Sequence, residues 1–257
     1  MQIIMVKSLI KNHGVFWITP MFWLTCLLVA TFGFVHLEEL FAQISPTQRQ
    51  VIYSRDSFLA LLLNHIYLVS IAAIISICVG VISAIFVTRS YGKEFLPLVS
   101  QVASMGQTFP PIAVLALSVP LLGFGTLPTI LALTLYGLLP IVRNTLAGIQ
   151  GVNPAVLESA KGMGMSSIQV LWRVELPLSS TVILSGIRTS ITINIATAAI
   201  GSTIGASTLG DPVISGLVNG NTAYVIQGAI LIGLLALTTD SFLERLQQKL
   251  IVKHSLM

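Results

Sequence analysis

The chain has 257 residues, of which 54% are hydrophobic and 9% charged, and its formal net charge is +4. Soluble domains carry about 25% charged residues, so this composition excludes a water-dispersed globule, and a mean hydropathy of +0.92 places the chain in a bilayer. The basic balance then belongs to membrane loops rather than to a nucleic-acid surface.

About 20 apolar residues cross a bilayer as a helix. Six stretches fit that role: roughly residues 15–35, 58–87, 96–122, 127–146, 181–204 and 224–237. The first has an apolar core longer than a signal peptide's, and no small-residue cleavage site follows it. Within it Trp17 fits an interfacial belt and Trp23 a lipid-facing position, or either packs inside the bundle. The second is long enough to tilt or to run past the membrane, and the last is short. The expected fold class is an all-α membrane protein of about six transmembrane helices. Residues 1–57 read as an N-terminal helix with an outer loop, 58–245 as a five-span core and 246–257 as a cytoplasmic tail. The two cysteines, Cys26 and Cys78, lie in apolar stretches and read as packing residues, with no disulfide framework and no metal cluster.

Lys and Arg concentrate on the cytoplasmic side of membrane proteins. With the N-terminus inside, Lys7, Lys11, Arg89, Lys93, Arg143, Lys161, Arg173, Arg188, Arg245, Lys249 and Lys253 are inside or at the inner edge, and only Arg49 and Arg55 are outside. Glu38, Glu39, Asp56 and Asp211 fall in the outer loops. This asymmetry predicts an even number of spans with both termini cytoplasmic.

Residues 147–180, between the fourth and fifth spans, are amphipathic and face the cytoplasm. Asn153 is a favourable N-cap with Pro154 at the first helical position. The run Ala155 to Lys161 makes about two turns, which Gly162 and Gly164 end. Ser166 to Gln169 has capping-box spacing and starts a second short helix through Val174, which Leu176-Pro177 stops. Val156, Leu157, Ala160, Leu171 and Val174 offer apolar surface for a partner groove or for the inner ends of the spans. By periodicity alone, a hairpin resting on lipid headgroups fits as well.

The residues decide more than the periodicity does. Glu158-Ser159-Ala160 is followed after three residues by Gly164, after nine more by Val174, and after one more by Leu176-Pro177. This resembles the "EAA" loop of the permease subunits of bacterial ATP-binding-cassette importers of type I: Glu-Ala-Ala, three residues, Gly, nine residues, Ile, one residue, Leu-Pro. Ser159 and Val174 are the two departures, both conservative. The resemblance covers the five-span core. It implies that Glu158, Ser159, Ala160 and Gly164 belong to a coupling helix that docks on a separate ATPase subunit and relays its closure to the spans.

Flanking stretches narrow the resemblance. Tyr136-Gly137-Leu138-Leu139-Pro140, Lys161-Gly162-Met163-Gly164-Met165, Gly186-Ile187-Arg188-Thr189, Gly205-Ala206-Ser207-Thr208-Leu209-Gly210 and Gly106-Gln107-Thr108-Phe109-Pro110-Pro111 are similar to permeases of the osmoprotectant group, which take up glycine betaine, choline or carnitine. The implied partners are ATPase subunits, a second permease subunit (identical or homologous) and an extracytoplasmic substrate-binding protein, in a bacterial cytoplasmic membrane. Another small solute, such as a sulfonate or an amino acid, is the alternative within transport. A channel or membrane enzyme is the alternative outside it.

Enzyme signatures are missing. There is no Gly-x-x-x-x-Gly-Lys-[Ser/Thr] loop: Lys93 follows Gly92, but Val87 stands where the first glycine would be. There is no His-Glu-x-x-His and no Gly-x-Ser-x-Gly, and the four histidines are scattered. ATP hydrolysis is thus expected on a partner, with no cofactor and no metal here.

Pro110 and Pro111 break the third span. Broken backbone at membrane depth is tolerated where it lines water or is buried in protein, so Gln107, Thr108, Pro110 and Pro111 are candidate pathway residues, or mark only a packing kink. The fifth span carries Ser190, Thr192, Asn194, Thr197, Ser202 and Thr203. Of these Asn194 and Thr197 are candidate pathway residues, though such groups also bond helices together. Arg143 and Arg188 either snorkel to headgroups or pair with loop acids.

Overall fold

The computed structural model describes residues 13–254, with side chains from 17 to 250, so Lys7, Lys11 and the side chain of Lys253 lie outside the described residues. Among the described residues the chain is all-helical. In chain order the helices are α1 (His13–Gly33), α2 (Glu38–Ile44), α3 (Phe58–Thr88), α4 (Leu96–Thr108), α5 (Pro111–Leu122), α6 (Thr126–Gln150), α7 (Pro154–Gly162), α8 (Ser167–Val170), α9 (Leu176–Ala198), α10 (Gly210–Asn219) and α11 (Thr222–His254).

Five segments are long and apolar enough to cross a membrane unaided: Trp17–His36, Phe58–Thr88, Thr126–Gln150, Ser167–Ile204 and Thr222–Leu250. The third expected span is instead two helices, α4 and α5, bent by 102° at the proline pair. This pair still carries the chain across. α3 ends beside Glu175, at the base of the long loop, because Arg89 bonds it there. α6 begins at the opposite end of the bundle, where Gly125 N–H donates to the Ile204 carbonyl at 2.8 Å. The bent pair supplies the sixth crossing.

Other elements depart from expectation. The last helix is not short: α11 runs 33 residues, straight through the expected tail boundary at 245/246. The polar residues Thr238, Thr239, Asp240 and Ser241 lower the hydropathy of its second half without interrupting helical bonding, and Thr238 Oγ1 donates to the Leu234 carbonyl. α2 and α10 are short helices in the connections after α1 and after α9. α10 is capped at its far end by Gly220, whose φ of +65° suits glycine.

α6 is the centre of the bundle. It packs along both α3 and α9, and α4 lies on it as well; α11 packs against α1, α9 and α10. One apolar core joins Leu61, Leu68, Leu133, Ile195, Leu209 and Leu231 in the half of the bundle away from the long loop, and a second joins Ala84, Ala103, Leu138 and Val142 in the half nearer to it. His65, on α3, is fully buried. The Leu209 N–H can only donate, so His65 Nδ1 accepts from it at 3.3 Å, and Nε2 carries the proton and donates to the Ile195 carbonyl at 3.0 Å. This histidine ties three elements together.

Trp17 is half-buried against α11: its ring lies 5.3 Å from Phe242, and Lys249 Nζ sits 4.7 Å from the ring centroid. Gln247 Nε2 donates to the Thr181 carbonyl at 2.9 Å, near the start of α9. The start of α1, the end of α11 and the long loop therefore share one end of the bundle.

Candidate functional site

The long loop is built from its own caps. Asn153 Oδ1 accepts from the Ala155 N–H at 2.9 Å, and Pro154 opens α7. Gly164 follows with φ +82°, and a Cβ there would meet nothing within 4 Å, so the requirement for glycine is a backbone one. Ser166 and Gln169 form the reciprocal capping box that starts α8.

Pro177 does not stop the next helix. Residues Leu171–Glu175 form a π turn, in which Leu176 N–H bonds the Leu171 carbonyl, and the path continues directly into α9. Pro177 lacks the N–H that an α-helix would direct at the Arg173 carbonyl, and its ring would clash there. The wider turn removes that conflict.

The loop places its four motif residues differently. Glu158 is exposed, and among the described residues no hydrogen bond or ion pair holds its carboxylate. Ser159 is exposed and its hydroxyl donates to the Ala155 carbonyl at 2.8 Å. Ala160 is only 2% exposed, and its carbonyl accepts from the Met165 N–H. It is part of the loop's own interior, not of the surface expected to meet a partner groove. Leu171 and Val174 are likewise half-buried. The exposed apolar side chains are Val156, Met163, Ile168 and Trp172, the last at 66% exposure. Sequence reasoning missed three of these, because it followed helical periodicity into segments that the glycine bend and the π turn re-aim.

Arg89 Nη2 bonds Glu175 Oε2 at 2.5 Å, with both side chains largely buried. The pair fixes the base of the loop to the end of α3.

At the broken span, Gln107 Nε2 donates to the Tyr136 carbonyl at 3.2 Å, and the Tyr136 hydroxyl donates back to the Phe109 carbonyl. Thr108 Oγ1 donates to Ser104. Gln107, Thr108 and Pro110 are exposed and Pro111 is half-buried. The structure thus gathers these four at the break between α4 and α5, three of them exposed.

Asn194 is not with them. It is 0% exposed, and among the described residues neither of its amide atoms has a hydrogen-bond partner. A Cβ at Gly137 would stand 2.7 Å from Ser190 Oγ, 2.8 Å from Ser76 Oγ and 3.0 Å from Asn194 Nδ2. Glycine there lets α6 approach α3 and α9, and Asn194 is enclosed in that contact. Its period relative to Thr197, which is half-buried, gave no warning of this.

Arg188 neither snorkels nor reaches a loop acid. Its Nε and Nη2 take both oxygens of Asp240 on α11 at 2.5 and 2.6 Å, and Glu244 lies 3.7 Å away. Arg143 is exposed. Among the described residues no group of three or more His, Cys, Asp or Glu side chains could hold a metal ion.

Known proteins share this architecture and sequence. The chain is 42% identical over 190 residues to the carnitine transport permease protein OpuCB of Listeria monocytogenes, covering 74% of this chain and 86% of that protein. It is 41% identical over 187 residues to the choline transport system permease protein OpuBB of Bacillus subtilis, covering 73% and 85%. It is 41% identical over 180 residues to the osmoprotectant import permease protein OsmY of Salmonella typhimurium, covering 70% and 76%. Among solved structures, an inward-facing MetNI methionine ABC transporter chain matches with a TM-score of 0.66 at 18% identity, over 77% of this chain and 99% of that one. The family model for the inner membrane component of binding-protein-dependent transport systems matches residues 76–252. A multi-pass bundle with a self-capped loop at one end, built to work with separate ATPase subunits, thus belongs to the family of binding-protein-dependent transport system inner membrane components.

Proposed function

We propose that the chain forms the translocation pathway for a zwitterionic or cationic osmoprotectant, glycine betaine first, in a complex with two ATPase subunits, a second permease subunit and an outer binding protein. The observation that carries it is the loop: a free Glu158 carboxylate beside exposed Val156, Met163, Ile168 and Trp172, on a base pinned by Arg89 and Glu175. An unpaired charge on a loop that also exposes large apolar side chains suits a docking surface. Under this reading the loop end of the bundle and both termini are cytoplasmic, in a bacterial inner membrane. The three curated relatives, which carry carnitine, choline and osmoprotectants by name, support the choice of cargo.

The pathway runs past Gln107, Thr108, Pro110 and Pro111. Between Glu94 and Arg143 the sequence has no Lys, Arg, Asp or Glu. Neutral polar walls leave no fixed charge to trap either end of a zwitterion. Asn194 acts from behind this wall, as a packing group, and Thr197 faces it only partly.

The test is uptake of labelled glycine betaine by proteoliposomes that hold the complete complex and its binding protein. Uptake that requires ATP, and that Glu158→Ala abolishes together with ATPase co-purification, is the expected result. Robust uptake of a sulfonate or an amino acid with none of betaine, choline or carnitine would overturn the cargo.

A further inference from the structure

The end of the bundle opposite the loop carries a cavity of about 590 Å³. Tyr53, Arg55, Asp56, Ser207 and Asp211 line it, contributed by the strap before α3 and by the turn into α10. An adjoining recess of about 230 Å³ shares Tyr53 and Arg55 with it and adds Tyr224. The two tyrosine rings meet edge to face, 5.5 Å apart.

The site is preorganised. Tyr53 N–H donates to Gln227 Oε1 at 3.1 Å, and Gln227 Nε2 donates to the Val51 carbonyl at 2.7 Å, so a fully buried amide on α11 clamps the strap on both sides of Ile52. Burial above all, and then the charge of Asp56, raise the pKa of the Asp211 carboxylate, while the polar groups of Ser202, Thr208 and Ser207 nearby oppose the shift. The Tyr53 phenol is pushed up to about 12 by burial and by the fields of Asp211 and Asp56. Each carboxylate thus lacks a compensating cation: among the described residues no ion pair holds Asp56, Asp211 or Arg55. The cavity lining thus combines an aromatic ring, two carboxylates and one guanidinium.

We infer that this outer cavity is a receiving site for the solute, with its quaternary ammonium against Tyr53, Asp56 and Asp211 and its carboxylate on Arg55. A quaternary ammonium cannot donate hydrogen bonds, so it is held by aromatic faces and by charge. A carboxylate suits the planar fork of arginine. The volume exceeds that of one small osmolyte, leaving room for solute to arrive with water still around it. The inference rests on the osmoprotectant reading above.

Glycine betaine and choline separate the two halves of the site, since choline has the ammonium and no carboxylate. In proteoliposomes with the complete complex and saturating binding protein, Arg55→Ala is expected to lower betaine uptake about tenfold while choline uptake stays within about twofold. Asp211→Asn is expected to lower both. Tyr53→Leu removes the aromatic face and is expected to lower both. ATPase stimulation by the binding protein is expected to persist in every variant. Equal loss of both solutes in Arg55→Ala would overturn the site, and loss of ATPase stimulation in parallel with uptake would make this cavity the docking surface of the binding protein. Wild-type complex that carries neither solute would instead overturn the cargo, and the site with it. A second readout does not need transport: with Cys26 and Cys78 removed, a cysteine at Ser207 is expected to be shielded from maleimide by glycine betaine, and unaltered labelling would count against occupancy.

Discussion

Arg89, which closes α3, and Glu175, which lies 86 residues later at the end of the π turn, bond each other at 2.5 Å through largely buried side chains. Removing one partner of a buried pair costs more than the pair is worth, because the other charge is left unpaired. With side chains 17% and 11% exposed, Glu175→Gln or Arg89→Ala is expected to cost about 2–3 kcal/mol, below the about 3–5 of a fully enclosed pair. ATP hydrolysis in the assembled complex is expected to continue with uptake uncoupled from it. Restoration of coupling by the exchanged pair, Arg89→Glu with Glu175→Arg, measured as solute moved per ATP, checks the assignment.

The loop bend gives a graded series. Gly164 holds φ +82° with open space around it, so a substitution is strained by backbone alone. The left-handed region costs an ordinary residue about 1–2 kcal/mol, and less for asparagine. Uptake is expected to fall least in Gly164→Asn, more in Gly164→Ala and most in Gly164→Val, with membrane insertion unchanged throughout. Loss in no particular order, or in Gly164→Asn first, would remove the backbone explanation.

Topology can be read by labelling. Gln43, Asn219 and Ser167 are all exposed. In a background without Cys26 and Cys78, cysteines at Gln43 and Asn219 are expected to react with an impermeant maleimide from outside intact cells, and one at Ser167 only after the membrane is opened. Outside labelling at Ser167 would invert the orientation.

Arg188 and Asp240 make a bidentate pair between α9 and α11 within the spanning segments. Asp240→Asn leaves Arg188 with Glu244 at 3.7 Å, so partial compensation is expected. With a third or less of each side chain exposed, the loss is expected to be about 1–2 kcal/mol, read as a melting shift of about 2–8 °C for the complex in detergent. Combining Asp240→Asn with Glu244→Gln is expected to lower it further, and an unchanged melting point in the double variant would mean that Arg188 finds another partner.

The crossings and the loop were legible because they depend on local chemistry. Asn153, Ser166 with Gln169, and the proline pair each act on backbone groups within four residues, so spacing alone places the caps and the break. What spacing hides is the neighbour across the bundle. Arg188 could be weighed only against headgroups and loop acids, since nothing near it in sequence points 52 residues ahead to Asp240. Ala160 and Asn194 reveal their burial only when the helices around them are in place. Asp211 and Tyr224 lie more than 150 residues from Tyr53, Arg55 and Asp56, so the chain order shows only part of the cavity together.

α3 joins the two sites. Its 31 residues extend about 46 Å, from Phe58 just beyond the cavity's Asp56 to Thr88 beside the Arg89–Glu175 pair. Such a helix acts as a lever: a tilt of about 5° at the pinned end carries the other about 4 Å sideways. That sweep is comparable to the width of an ammonium head. A small displacement of the loop can therefore open or narrow the mouth of a cavity it never touches.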